Sequence, residues 1–424
     1  MRHLGFPAGI TRDILVEWYR TARAQTAEIF DFITPDAYYD RPIALRNPIV
    51  FYEGHLPAFC VNTLVKLALG REGIDGALET LFARGIDPED ETASRAPADV
   101  WPSRAEVQEF AAACDALVEE TLLTAPLEDD TVPELRRGEA VFTILEHERM
   151  HQETLLYMLH QLPYAMKRAP LARGRTDFAG GSAPANGPVR IPAGRATLGT
   201  RDGVFGWDNE FPQHVVDVPA FSIDVDDVTN AAYAEYMDAT GAAAPHFWLR
   251  DGDAWLFRGL FELAPLGMNA PVYATHDEAN AFARWKGMRL PTEAEFHRAA
   301  YGTPEGDERP QPWGDALPEW SHGNFDFQSY DPVAVGSFPA GASAWGIQDL
   351  VGNGWEWTSS IFDGFAGFQP MPSYPQYSAD FFDGAHYVLK GASPVTSREL
   401  IRSGFRNWFR PRYPYVYATF RCAK

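Results

Sequence analysis

The chain has 424 residues, 46% of them hydrophobic and 22% charged, which is enough for two or three domains that each bury a core of ordinary size. Acidic side chains number 58 against 36 basic ones, and the formal charge of −22 argues against a nucleic-acid partner because there is no basic surplus to displace counterions. The three cysteines, Cys60, Cys114 and Cys422, are widely spaced, which argues against a disulfide framework or a cysteine-type zinc site and favours a reducing compartment. No stretch approaches the roughly 20 apolar residues of a membrane span, so we expect a cytoplasmic protein with no membrane partner.

The first predicted elements are helices. The stretch "TRDILVEWYRTARAQTAEIFDFI" begins with Thr11 as an N-cap and then carries apolar residues at helical spacing. The same period runs through "PAFCVNTLVKLAL", "RAEVQEFAAACDALVEETLL" and "GEAVFTILEHERMHQETLLYMLHQL". Four helices of this length joined by loops predict an all-α antiparallel bundle over residues 1–165.

The second half of the chain has a different composition. Residues 166–190 lose the helical period and gather Gly, Pro and Ala, which predicts a linker. From 191 to 424 the apolar runs shorten to strand length, although "TNAAYAEYMDAT" and "HDEANAFARWKG" keep a helical period. In "LPTEAEFHRAA", Thr292 and Glu295 have the spacing of a capping box. We therefore predict an irregular α+β domain over residues 191–424.

A histidine pair in the last helix of the predicted bundle points to a metal. His147-Glu148-Arg149-Met150-His151 matches the H-E-x-x-H of zinc metalloproteases letter for letter. Residues four apart lie on one face of a helix, so His147 and His151 can bind one ion. The flanking residues are apolar, and His55 in "VFYEGHLPAF" is a third candidate ligand. Three neutral imidazoles leave open coordination positions, as a catalytic metal requires. His160 falls on another face, where we expect a surface or interface residue.

The chemistry of this metal is open to more than one interpretation. A metzincin would have Gly and His where this chain has Thr154 and Tyr157, and the nearest downstream glutamate of a gluzincin type, Glu210, lies beyond the linker. An all-histidine set with open positions also suits Fe(II) and oxygen chemistry. Glu148 would be the general base of a protease, but we expect it to be a solvated residue.

These motifs resemble a known family. "HERMHQET", together with His55 in "RPIALRNPIVFYEGHLPAF", resembles the DinB-like four-helix bundle of the ergothioneine-type sulfoxide synthases, which are nonheme iron enzymes. "GMRLPTEAEFHRAA", "VGNGWEWTSS" and "GFRNWF" resemble the formylglycine-generating-enzyme-like (C-type-lectin-like) α+β domain that follows it in the family. The formylglycine generator itself uses a cysteine pair, and only Cys422 is present here, so that activity is not expected.

The resemblance implies roles for particular residues. His55, His147 and His151 match the Fe(II) ligands, and Tyr374 in "PSYPQYSADFF" matches the catalytic tyrosine that directs oxygen toward C–S bond formation. The family's second tyrosine corresponds to Tyr377. Asn407 and Trp408 match the residues beside the trimethylammonium of hercynine, the betaine of histidine. The second domain would complete the active site.

The chain departs from the family pattern where the sulfur donor would bind. Members that use γ-glutamylcysteine place an Asp where this chain has Phe409, and its loss removes the ion-pair partner of the donor's amino group, so γ-glutamylcysteine is not the expected donor. They also place a Gln, which holds the imidazole of hercynine, where this chain has Met150. Cysteine remains open, as does a selenosugar, because selenoneine synthases belong to the same family. Arginines chosen by charge and loop position are candidates for binding the donor: Arg41, Arg46, Arg95 and Arg410.

The sequence thus predicts an O2-dependent nonheme Fe(II) enzyme that joins a thiol or selenosugar donor to the imidazole C2 of hercynine, with small molecules as its partners. Two alternatives stay open at this point. One is a zinc-dependent hydrolase with Glu148 as its base, and the other is a non-catalytic module that only binds a ligand.

Overall fold

The structure is a computed structural model that describes residues 10–83, 100–170 and 187–424. These residues form two compact units. The helical unit contains the described residues before 173 together with two short segments from later in the chain, Gly203–Phe205 and Met371–Pro375. The mixed unit contains the rest. Of the predicted linker, residues 171–186 lie outside the described residues.

The helical unit contains the four long predicted helices. Its helices are α1 (Arg12–Asp31), α2 (Ile49–Cys60), α3 (Gly76–Leu81), α4 (Arg104–Thr124) and α5 (Glu139–His160). Thr11 caps α1 as predicted, its hydroxyl accepting from the Ile14 N–H at 3.3 Å. At α4 the cap is reciprocal, because the Ser103 hydroxyl and the Glu106 carboxylate each accept from the other residue's backbone N–H. The short α3 is an element that the periodicity does not predict.

Helix α2 is buried along its whole length and begins at Ile49, well before the start that the pattern predicts. Pro57 lies inside it and has no N–H to donate, and the chain continues as a π-helix over Val61–Ala68. Segments of π-helix are rare and frequently lie at functional sites. Gly54 allows the Phe82 ring to pack directly on α2, since an added Cβ would lie 2.5 Å from that ring.

The mixed unit combines short strands with helices. Its strands are β1 (Pro188–Ile191), β2 (Gly194–Leu198), β3 (His214–Val218), β4 (Phe221–Asp224), β5 (Trp248–Asp251), β6 (Ala254–Arg258), β7 (Leu263–Pro265), β8 (Gly354–Ile361), β9 (Tyr387–Ala392), β10 (Asn407–Phe409) and β11 (Ala418–Thr419). Its helices are α6 (Asn230–Thr240), α7 (His276–Trp285) and α8 (Glu293–Tyr301). A four-stranded sheet has the order β10-β9-β8-β11, in which only β11 runs parallel to its neighbour. β1 pairs with β4, β2 with β3, and β6 with both β5 and β7, all antiparallel.

The core of the mixed unit is organised around α8 and a buried arginine. The predicted capping box opens α8, with the Glu295 carboxylate accepting from the Thr292 N–H at 2.8 Å. Arg421 is fully buried, and its guanidinium donates to Glu356 at 2.6 Å and to Asp227 at 3.0 Å. A buried charge needs such partners, so this arginine connects β8 to the chain ahead of α6.

Other expectations from composition can be compared with the structure directly. The three cysteines are free and buried. Among the described residues, no helix combines the length and apolar character needed to cross a membrane. The predicted architecture, an all-α bundle followed by a mixed α+β domain, is confirmed.

Candidate metal centre

The three predicted histidine ligands come together in the helical unit. His55 lies on α2, and His147 and His151 lie one turn apart on α5. One ring nitrogen from each lies within 4.8 Å of the others. The ring centroids are 5.2 Å apart from His55 to His147, 5.2 Å from His55 to His151, and 4.4 Å between the two α5 rings. This spacing would let all three imidazoles bind one ion.

Burial keeps these imidazoles neutral, as metal ligands must be. It lowers the pKa of His55 to about 4, against the opposing effect of a hydrogen bond to Phe82. Burial, and then the neighbouring histidine, lower the pKa of His147 and of His151 well below 6.5. The Nδ1 of His55 lies 2.8 Å from the Phe82 carbonyl oxygen, so that nitrogen carries the proton and donates. The lone pair of His55 is therefore on Nε2, and the hydrogen bond from Nδ1 to Phe82 fixes the orientation of the ring.

The other two rings have nitrogens that only a ligand would satisfy. Both ring nitrogens of His147 and Nδ1 of His151 are buried without a hydrogen-bond partner in the described part of the chain. Each unpaired buried polar group costs about 1–3 kcal/mol. A divalent cation fits this cluster, because three neutral nitrogens suit Fe(II) or Zn(II) and leave further positions for exogenous ligands.

Two phenylalanines that the sequence analysis missed form the apolar surroundings of the triad. Phe51 stacks on His55 with the ring centroids 4.8 Å apart, and Phe59 stacks on His147 at 3.5 Å. They lie four residues before and after His55, which places all three on one face of α2. The i±4 spacing was the signal that would have identified them.

Tyr374 lies beside the triad, within the helical unit. Its ring centroid is 5.2 Å from that of Phe59 and 6.1 Å from that of His147. It belongs to Met371–Pro375, one of the two late segments of this unit. The neighbouring Ser373 hydrogen-bonds to α5 at two points, through its N–H to Glu139 and through its hydroxyl to Thr143.

Glu148 is not the solvated residue that the sequence pattern suggested. Its side chain is buried, and Oε1 accepts hydrogen bonds from Thr26 at 2.5 Å and from Arg23 at 3.0 Å, both on α1. A position one residue after His147 is turned about 100° around the helix, so Glu148 faces α1. The expectation for His160 is also wrong: it is fully buried, and its carbonyl accepts from Lys167 at 3.1 Å. Both errors arise because α5 is covered on more than one side, which hydrophobic spacing alone does not reveal.

The residues expected to bind hercynine lie in the mixed unit. Trp408 on β10 stacks on Phe362 with the centroids 4.2 Å apart, and Tyr377 meets it edge-on at 5.2 Å. Asn407 accepts from the Trp408 N–H at 2.9 Å. Trp207, which no sequence motif singles out, stacks on Tyr377 at 4.0 Å. Of the tyrosine pair, Tyr374 packs in the helical unit and Tyr377 in an aromatic cluster of the mixed unit.

The candidate donor-binding residues are divided between the units. In the helical unit, Arg46 lies over the Tyr157 ring at 5.6 Å, and its charge contributes to lowering the pKa of His151. Met150 and Arg41 of the same unit are partly buried. In the mixed unit, Phe409 stacks on Tyr413 at 5.2 Å, and Arg410 is exposed. Arg95 lies outside the described residues.

A cavity of about 350 Å³ adjoins the triad within the helical unit. His55 and Phe59 line it together with Asn62, Thr63, Lys66, Leu67, Glu79, Thr80 and Ala83. Its lining includes residues of the π-helix that follows α2.

Comparison with known proteins identifies the family. A model described as the sulfatase-modifying factor enzyme 1-like domain matches residues 177–424, and one described as the DinB superfamily matches residues 19–155. A hercynine oxygenase of Mycolicibacterium smegmatis is 32% identical, over 98% of this chain and 99% of that protein. A hercynine oxygenase of Mycolicibacterium thermoresistibile is 33% identical, over 95% and 92%. Ergothioneine biosynthesis protein 1 of Neurospora crassa is 27% identical, over 91% of this chain and 54% of that protein. The chain therefore belongs to the hercynine oxygenase family and combines a DinB superfamily domain with a sulfatase-modifying factor enzyme 1-like domain.

Proposed function

We propose that this protein is an iron-dependent oxidoreductase of the ergothioneine type. It would use O2 to join a sulfur or selenium donor to the imidazole C2 of hercynine. The observation that carries the proposal is the buried triad of neutral imidazoles, with orphaned ring nitrogens and Tyr374 packed beside it, in a chain whose relatives are named hercynine oxygenase.

His55, His147 and His151 would hold the iron. When bound there, Fe(II) would supply O2 activation, a chemistry that suits an all-nitrogen ligand set with open positions. The carbonyl of Phe82 would keep the lone pair of His55 on Nε2. Phe51 and Phe59 would exclude water, because they stack on His55 and His147.

Tyr374 would hold the proton that the reaction needs at its phenolic oxygen. Its ring lies against Phe59 and His147, and a phenol keeps its proton at neutral pH. Removing that hydroxyl would favour oxidation of the thiol donor over formation of the C–S bond.

Hercynine carries a quaternary ammonium, which binds best to aromatic faces. Trp408 and Tyr377 supply such faces in the mixed unit, and both are partly exposed, while Asn407 adds a polar group. At the donor position, Phe409 offers an apolar ring in place of a carboxylate. This loss of a carboxylate favours a donor without a free amino group, of which a selenosugar is one and γ-glutamylcysteine is not.

The test is anaerobic reconstitution with Fe(II), then exposure to O2 with hercynine and, separately, cysteine, γ-glutamylcysteine and a selenosugar, followed by mass spectrometry. Zn(II)-loaded and metal-free protein are the matched controls. A hercynine adduct formed only by the iron form supports the proposal. The donor that reacts then shows whether the enzyme forms a C–S or a C–Se bond. Absence of an adduct with every donor would contradict it. A zinc hydrolase would instead cleave peptides in the Zn(II) form, but Glu148, the base it needs, faces α1, where its Oε1 accepts from Arg23 and Thr26.

A further inference from the structure

The segment Met371–Pro375 is hydrogen-bonded to α5 through Ser373. The Ser373 N–H donates to Glu139 Oε1 at 2.9 Å, and the Ser373 hydroxyl lies 2.9 Å from the hydroxyl of Thr143. Ser373 is 3% exposed and Thr143 is 0% exposed, so the contact between their hydroxyls is shielded from water, while the contact to the half-buried Glu139 is partly shielded. Hydrogen bonds of this kind are worth most where water cannot replace them.

The residues that hold Ser373 share a helix face with two of the metal-binding candidates. Glu139, Thr143, His147 and His151 follow one another at intervals of four along α5. Residues at this interval are neighbours on one face, about 6 Å apart along the axis. Because Ser373 hydrogen-bonds to Glu139 and Thr143, the next residue, Tyr374, lies against His147.

The short segment is also stiff. Pro372 and Pro375 fix two of its five backbone φ angles, and the Tyr374 N–H donates to the Met371 carbonyl at 3.3 Å. Fixing Ser373 therefore leaves the adjacent Tyr374 little freedom to move away from α5.

We propose that Ser373, Thr143 and Glu139 form a clamp that positions Tyr374 against the His147 side of the triad. They act through Tyr374 and are positioning residues. The inference rests on the proposed function for the role of Tyr374, but the clamp itself is a property of the metal-free protein.

The first test is amide hydrogen exchange of the metal-free full chain, followed by mass spectrometry of peptides covering 371–375. Only Met371, Ser373 and Tyr374 carry amide hydrogens there, so the signal is specific. Thr143→Val, Ser373→Ala and Glu139→Ala should each speed exchange on the order of fivefold, as expected for the loss of one hydrogen bond. Glu139→Gln keeps an acceptor oxygen and should restore slow exchange.

The matched control is Thr121→Val on α4. Thr121 is as buried as Thr143, at 1% exposed, but its hydroxyl has no hydrogen-bond partner among the described residues. The same substitution there should leave exchange of 371–375 at the wild-type rate.

The second test is turnover of the iron-loaded enzyme in a double-mutant cycle. Thr143→Val should lower kcat on the order of fivefold with KM for hercynine unchanged, and should have no further effect in a Tyr374→Phe background. An equal loss in both backgrounds would overturn the positioning role. Unchanged exchange of 371–375 in the three clamp variants would overturn the clamp. If the wild type forms no product, the proposed function fails while the exchange result alone decides the clamp.

Discussion

The strongest prediction concerns how much the histidine triad lowers the free energy of unfolding when it holds no metal. Both ring nitrogens of His147 are buried without a partner in the described structure, and each such group costs about 1–3 kcal/mol. His147→Leu removes both atoms at similar volume. It also loses the stacking on Phe59 at 3.5 Å, which is worth about 0.5–1.5 kcal/mol. Taking the low end of the two burial costs, about 2 kcal/mol together, against a stacking loss of about 1 kcal/mol, metal-free His147→Leu should be more stable than metal-free wild type by about 1 kcal/mol.

Metal binding should reverse this order. Wild type gains RT ln(1 + [L]/Kd) from the ion, about 2.7 kcal/mol at a hundredfold excess over Kd, while the variant loses one of three ligands and most of that gain. We would measure thermal unfolding by anaerobic calorimetry with and without Fe(II), following the transition that responds to metal. For a unit of this size, 1 kcal/mol corresponds to a Tm shift of about 2–4 °C.

His160→Leu is the matched control, because His160 lies on the same helix, is equally buried and has interaction partners of its own. Its effect should have the same sign in both metal states. If His147→Leu lowers Tm equally with and without Fe(II), the reasoning from orphaned nitrogens is refuted.

Three further predictions concern single residues. Tyr374→Phe should lower formation of the hercynine adduct at least tenfold while consumption of the thiol donor continues, as product analysis by mass spectrometry would reveal; equal losses of both would contradict a role in directing the reaction. Phe409→Asp should improve kcat/KM for an amino-acid thiol if the missing carboxylate excludes it, and unchanged donor preference in competition assays would remove Phe409 from the explanation. Burial raises the pKa of Asp349 from 3.8 to about 6, so the folded state binds the proton more tightly than the unfolded state. The mixed unit should therefore lose about 3 kcal/mol of stability as the pH rises between these two values. Asp349→Asn keeps an oxygen that can accept from the Gly336 N–H, and Asn tolerates the φ of 53° at this position. The urea midpoint of this variant should therefore exceed that of wild type at pH 7 but not at pH 4. A constant difference between the two midpoints across this range would show that the Asp349 carboxyl does not titrate as described.

Much of the architecture follows from local patterns. Helices α1, α4 and α5 can be predicted because apolar residues recur at helical spacing. Thr11 and Thr292 cap their helices as the sequence pattern predicts. The i, i+4 pair on α5 required only that the helix form. Helix α2 was harder, because it is apolar all round and so carries little periodicity that could fix its start.

The sequence by itself determined the two-part architecture, the family and the three histidines, since these depend on residue order within single helices and motifs. Only the tertiary structure decided which residues surround them. Glu148 is buried because α1 supplies Arg23 and Thr26 from more than a hundred positions earlier in the chain. Tyr374 packs beside His147, whereas Tyr377, three residues later, packs in the mixed unit. Contacts between distant segments leave no periodic trace in a sequence, because they depend on how elements pack and not on the order of residues within any one of them.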